Sequence, residues 1–420
     1  MNPAPAVAVK NTNHVMENSK SMSAFHSIPG IRVGIASAGI KKPGRKDVVV
    51  FELCEGAHTA GVFTKNAFCA APVILAKANL GTNAPRYLLI NTGNANAGTG
   101  QSGLANARAT IEALADLAGC SADQILPFST GVIGEPLPVA KITAALPAAL
   151  DALRAEAWPV AAEGIMTTDT KPKLASTRVE VGDSAFSITG ITKGAGMIRP
   201  NMATMLSFVA TDLAIAPDLL HKALVRAVEQ SYHRITIDGD TSTNDACTLT
   251  ATGRSELPAI ESADDPLYAT FCEALEGVLL ELAQMMVRDG EGATKFFQIE
   301  VQGGASEQEC LDVAFTIAES PLVKTALFAS DPNWGRLLAA IGRAGLVNLD
   351  VDKVTLHLND VLIAEQGQRA ASYTEEQGVA AMAPTDVVLK VGLNRGDAST
   401  TVYTSDFSYD YVRINAEYRT

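Results

Sequence analysis

The sequence predicts a mixed α/β (α+β) protein of more than one structural unit, and three observations carry that expectation. Its 420 residues exceed the length at which one hydrophobic core usually stops growing. Short runs rich in β-branched and aromatic residues alternate with longer stretches whose apolar residues recur every three or four positions. Glycine and proline, 33 and 19 in number, are spread along the chain, so turns separate these segments throughout. With 47% hydrophobic and 19% charged residues, the composition excludes a disordered or fibrous chain.

From residue 31 to residue 91 the runs IRVGIAS, DVVVFEL, AGVFT, PVILA and RYLLIN, divided by Gly, Pro, Lys and Asn clusters, predict a strand-dominated opening. Helical spacing then predicts a helix over 104–119, stopped by Gly119, and another over 138–157 that carries Pro147 inside it. TRVEV and AFSITGI alternate about Gly182-Asp183, the pattern of a hairpin. A strand in MLSFVATDL, a helix over 217–230 and the polar loop TIDGDTSTNDA follow. The clearest helix runs over 265–290, where Phe271, Leu275, Leu279, Leu282 and Met286 form one apolar stripe. A second hairpin is expected about Asn359-Asp360.

The net charge is −13, and no run of Lys or Arg makes the patch that a phosphate backbone demands, so nucleic acid is not an expected partner. The six cysteines are widely spaced without C-x-x-C and read as free buried thiols of a reducing cytoplasm. The first 30 residues lack the features of a secretory or transit signal and read as a flexible arm. The longest uncharged apolar run, AFCAAPVILA, is far shorter than the roughly 20 residues that span a bilayer, so a soluble cytoplasmic protein is expected. The six histidines follow no metal-binding spacing, and neither a metal nor a tightly bound cofactor is expected.

Three stretches could carry chemistry. GTGQSG at 98–103 spells G-x-G-x-x-G, but NTGNANA separates it from the preceding strand, so a glycine-rich loop capping a helix is the better reading. In FSTGVIGEPLP, Thr130 and Gly131 are expected in a loop between helical segments. A hydroxyl and a backbone N–H presented together there can stabilise an oxyanion. In ITKGAGMIRPNMATML, Lys193 precedes the conformationally free Gly194 and Gly196, and Pro200 fixes the chain ahead of Thr204. The polar clusters MTTDTKPK, TIDGDTSTNDA, RDGEGATK and RINAEYRT could line a small-molecule pocket, with Glu291 placed to receive an amine.

With GIRVGIASAGIKKPGRKD, NTGNANAGTG, STGVIGEPLP, IMTTDTKPK, KGAGMIRPNMATML, TIDGDTSTND, RDGEGATK, SDPNWGRLLAAIGRAG and the terminal RINAEYRT, the chain resembles the ornithine acetyltransferases, the bifunctional glutamate N-acetyltransferases of arginine biosynthesis. The likeness covers nearly everything after about residue 25; Arg199 departs from it, standing where relatives often carry a smaller or less charged residue. The resemblance implies a layered α/β sandwich of the ornithine acetyltransferase and DmpA-like type. It divides the chain into an arm over 1–25, a catalytic domain over 26–295 and a smaller C-terminal α/β domain over 296–420 whose tail returns to the active site. It also implies self-cleavage between Ala203 and Thr204 into fragments 1–203 and 204–420, assembled as a heterotetramer of two copies of each.

Matched position by position, Thr204 is the nucleophile, Thr130 and Gly131 form the oxyanion hole, and Thr170, Lys193, Thr204, Glu291, Asn415 and Thr420 contact substrate. The implied reaction passes acetyl from N2-acetylornithine to glutamate by ping-pong exchange, with acetyl-CoA as a further donor in some members. The residues make that chemistry intelligible. Cleavage would free an α-amine on Thr204 whose pKa of roughly 7.7 to 8.0 suits it to take the hydroxyl proton. Two other readings stand beside it: an N-terminal-nucleophile amidohydrolase or aminopeptidase, and a non-catalytic amino-acid-binding module.

Overall fold

The computed structural model describes residues 25–199 and 205–418. Along the chain come β1 (Ile31–Ala36), β2 (Val48–Leu53), β3 (His58–Phe63), α1 (Ala71–Leu80), β4 (Tyr87–Asn94), α2 (Gly100–Ala118), β5 (Ile125–Val132), α3 (Val139–Asp151) and α4 (Trp158–Gly164). Next are β6 (Lys173–Val181), β7 (Ser184–Lys193), β8 (Leu206–Thr211), α5 (Pro217–Glu229), β9 (Ala246–Ala251) and α6 (Pro266–Arg288). The remainder is β10 (Phe296–Gly304), α7 (Glu307–Ala318), α8 (Pro321–Phe328), α9 (Trp334–Gly342), β11 (Thr355–Leu358), β12 (Val361–Glu365), β13 (Gln368–Arg369), α10 (Glu375–Met382), β14 (Asp386–Gly392), β15 (Ala398–Ser405) and α11 (Tyr409–Ala416).

Two mixed sheets stack face to face. One has the order β1-β2-β4-β5 and the other β3-β9-β8-β7-β6. Their inner faces share a core in which Phe208 of β8 meets Phe51 of β2 and Phe128 of β5 at ring-centroid distances of 5.5 and 5.0 Å. The outer face of the first sheet packs against α2 and α3 through Val48, Val50, Leu114 and Leu146. The outer face of the second is covered by α5 and α6, with the predicted stripe of Phe271, Leu275, Leu279, Leu282 and Met286 fully buried. The result is the expected layered sandwich, helices outside and sheets within. The six-stranded sheet β13-β12-β11-β14-β10-β15 has a core of its own with α7, α8 and α9.

Both predicted hairpins form, the first with Gly182 at φ 62° and the second with Asn359 at φ 50°. Two expectations are corrected. PVILA is helical, because Pro72 occupies the first turn of α1 and alanines flank it; the run is apolar because the helix packs against β3, β5 and α2. The helix expected over 138–157 stops at Asp151. Beyond it Arg154 exchanges two backbone hydrogen bonds with Val33 of β1, 2.9 and 3.1 Å, which draws the chain out of the helix. Arg199 pairs with Glu319 and lies 3.9 Å over the Phe315 ring, so the departing residue joins the lead-in of the second sheet to α7 and its flank.

Candidate active site

The site lies where strand ends of the two stacked sheets face one another. In the first sheet the parallel pair β4–β5 slips register at Gly93/Asn94. Gly131 adopts φ 132°, and a Cβ there would stand 2.3 Å from the Gly93 carbonyl carbon, so only glycine fits. Thr130 and Gly131 therefore sit at the C-terminal end of β5, not in the loop expected from the sequence. The run ILPFSTGV lacks clean alternation because its strand is buried on both faces.

In the second sheet β7 ends at Lys193, opposite Leu206 of β8. The Lys193 ammonium donates to the Thr130 hydroxyl oxygen at 3.3 Å, joining the two sheets across the gap. Burial lowers the Lys193 pKa, opposed chiefly by the charge of Asp169. Burial alone would raise the Asp169 carboxyl, but Lys193 and Lys173 outweigh it and bring it to about 2. Asp169 also accepts the Gly194 and Thr167 N–H groups at 2.7 and 3.0 Å, so the KGAG turn is tied to the MTTDTKPK segment.

Glu291 follows α6, and its N–H donates to the Ala195 carbonyl at 2.8 Å. A Cβ at Gly196 would stand 2.5 Å from the Glu291 carboxyl carbon, which explains the second glycine of the motif. The Asn415 amide of α11 donates to Glu291 Oε2 at 2.8 Å, so α11 contributes to the wall of the site. A cavity of about 250 Å³ is bounded by Thr130, Gly131, Lys193, Met205, Asp245, Glu291, Asn415 and Tyr418 among others. Through Gly131, Val132 and Tyr418 it adjoins a second cavity, of about 310 Å³, whose wall includes Lys41, Lys42 and Arg45.

Thr130, Gly131, Lys193, Glu291 and Asn415 are thus brought together. Thr170 does not line the cavity. Its hydroxyl and N–H instead donate to Asp289, two residues before Glu291, so it positions that loop. Ala203, Thr204 and Thr420 lie outside the described residues; Met205, next in the chain after Thr204, lines the cavity.

The pattern of the ArgJ family matches residues 32–420. The chain belongs to the ArgJ family. The arginine biosynthesis bifunctional protein ArgJ of Pseudomonas fluorescens (strain Pf0-1) is 58% identical over 399 residues, covering 95% of this chain and 98% of that one. Its counterpart from Methylococcus capsulatus is 57% identical over 393 residues, 94% and 96% of the respective chains. Among solved structures, the arginine biosynthesis bifunctional protein argJ of Bacillus halodurans is 38% identical with a TM-score of 0.49, covering 51% of this chain and 99% of its own. An ornithine acetyltransferase of Mycobacterium tuberculosis complexed with ornithine is 31% identical with a TM-score of 0.37, covering 42% and 94%.

In this ArgJ-family chain the sequence reading missed the buried group beneath the site. Lys173 donates to Asp169 at 2.7 Å and to Asp289 at 2.5 Å, all three nearly inaccessible. Asn244 was missed as well; its amide donates to the carbonyls of Ala95 and Ser129 at 2.6 and 2.8 Å and fixes the end of β5 against the start of β9. The only signal for either was the density of Asp, Asn, Thr and Lys in segments of no regular period.

Proposed function

We propose that this chain moves acetyl from N2-acetylornithine to L-glutamate by ping-pong exchange through an acetyl-Thr204 intermediate, after cleaving itself between Ala203 and Thr204. Membership of the ArgJ family makes it a glutamate N-acetyltransferase of arginine biosynthesis. The observation that carries the mechanism is the single cavity that holds a cation, a carboxylate and the Thr130-Gly131 pair within reach of one small substrate.

The chemistry follows from those groups. Lys193 suits the α-carboxylate that ornithine and glutamate share, and Glu291 suits the side-chain ammonium of ornithine, its orientation fixed by Asn415. Thr130 and the Gly131 N–H stabilise the oxyanion as each tetrahedral intermediate forms. Closing the cavity with the C-terminal tail excludes water, which would otherwise hydrolyse the acetyl-threonine ester. Thr420 contacts substrate from that tail. No metal or cofactor is needed for this acyl transfer. Two copies of each fragment assemble as a heterotetramer.

Acetyl-CoA is a second donor in this reading, and the adjoining cavity with Lys41, Lys42 and Arg45 supports it, since phosphates favour a cationic wall. Mass spectrometry of the purified protein tests the reading. A fragment beginning at Thr204 that gains about 42 daltons with acetylornithine, and loses it on adding glutamate, is the expected result. An intact chain with full transfer activity refutes it. Assay with glutamate and acetyl-CoA decides the second donor.

A further inference from the structure

The cavity contains a carboxyl for which the mechanism above has no use. Asp245, at the entry to β9, is 2% exposed and lines the cavity. Its Oδ2 is buried without a hydrogen-bond partner among the described residues. Its backbone is fixed on both sides. The Asp245 carbonyl accepts the Thr64 N–H at 3.0 Å, and the next residue, Ala246, donates to the Met205 carbonyl at 2.9 Å. A buried carboxyl oxygen left unpartnered costs stability unless a ligand completes it. Amine nitrogen is what the proposed substrates bring to such an oxygen.

We infer that Asp245 is a catalytic residue of the acetyl exchange, carrying the proton that the acceptor amine must lose and the departing amine must gain. The inference rests on the acetyl-transfer reading. Glutamate arrives with a protonated α-amine, which cannot attack a carbonyl. One ammonium N–H bond breaks and an O–H bond forms on Asp245. The neutral nitrogen bonds to the acetyl carbon, the bond from that carbon to the Thr204 oxygen breaks, and a second nitrogen proton passes to that oxygen. N-acetylglutamate, free threonine hydroxyl and protonated Asp245 result. With acetylornithine the steps reverse: Asp245 returns its proton and ornithine leaves as an ammonium. Asp245 is thus neutral in the free enzyme and charged in the acetyl-enzyme.

Its surroundings suit that cycle. Burial pushes the Asp245 carboxyl well above the usual carboxylate range, opposed by a hydrogen bond from the Ser242 side chain and by the charge of Lys193. A proton carrier works best when its pKa lies near the working pH. The titratable groups that act on or beside it are Lys193 from β7, Glu291 from the loop after α6, and Cys69 ahead of α1.

The test compares two reactions on one sample. The first is acetylornithine with glutamate, in which both amines exchange protons. The second is p-nitrophenyl acetate with hydroxylamine, whose leaving group departs as an anion and whose nucleophile is already neutral. Asp245→Asn is expected to lower the first rate relative to the second by about a hundredfold, the scale of general acid–base catalysis. Equal losses in both, or no loss in the first, would overturn the inference. The native protein provides a measurement that needs no variant. Its acetylation by acetylornithine is expected to decline at high pH, as Asp245 ionises, with a midpoint absent when p-nitrophenyl acetate is the donor; identical profiles overturn the inference. If the native protein transfers nothing from acetylornithine, it is the functional reading that fails.

Discussion

Thr130 accepts a hydrogen bond from Lys193 across the gap between the sheets, which leaves its hydroxyl hydrogen free to point into the cavity. Thr130→Val keeps the shape and removes that donor. Turnover is expected to fall by about a hundred- to a thousandfold, with little change in KM for acetylornithine, as steady-state kinetics would reveal. A comparable rise in KM would mark Thr130 as a ground-state contact instead. At this scale much was legible in the sequence, since Glu291 and Asn415 stand in polar clusters too dense for ordinary turns and Lys193 leads into the glycines of the KGAG run. Asp169, Lys173 and Asp289 were not, because a buried ion network leaves no periodic trace and draws on two of those clusters 116 residues apart.

The strand end that carries Thr130 depends on Gly131. Gly131→Ala would press a Cβ into the Gly93 carbonyl and force apart the end of the β4–β5 pair. Backbone strain of about 1–3 kcal/mol is expected, so the thermal midpoint should drop and activity should fall further than in the threonine variant. Retention of both would show that β5 need not end in this geometry. Phe208 tests the packing of sheet on sheet. It is 1% exposed between Phe51 and Phe128, and Phe208→Ala should cost about 3–5 kcal/mol in urea denaturation. Helices and hairpins with strong periodicity were legible at this scale. PVILA was misread because a short apolar run is compatible with either period, and only its neighbours decide.

Across the whole molecule, Lys324 links the C-terminal sheet to α8 and the tail. Its buried ammonium donates to the Thr404 hydroxyl at 2.8 Å and to the Ser405 carbonyl, and burial lowers its pKa to about 7. Because the folded pKa is lowered from the ordinary 10.5, the unfolded chain binds more protons between those two values. Stability from this group therefore rises with pH across that window, and the deficit is complete below about 7. The difference in denaturation midpoint between the native protein and Lys324→Met should change by that sign between pH 7 and about 9.5. A difference independent of pH would mean that Lys324 keeps its proton throughout. Thr404 and Ser405 close β15, from which the chain runs on to Asn415, so this pairing also anchors the segment that covers the cavity.

The sequence by itself determined the elements with regular period and the family, because each is written in residues that are close along the chain, and the layered class of the fold came only through the family resemblance. Only the tertiary structure decided which strand ends meet, that Thr170 braces Asp289 rather than lining the cavity, and that Asp245, at the cavity wall, keeps one carboxyl oxygen, Oδ2, without a hydrogen-bond partner among the described residues. Those facts depend on the stacking of two sheets whose strands are interleaved in sequence, and on burial that withdraws solvent from charged groups far apart in the chain. Local pattern does not encode either one.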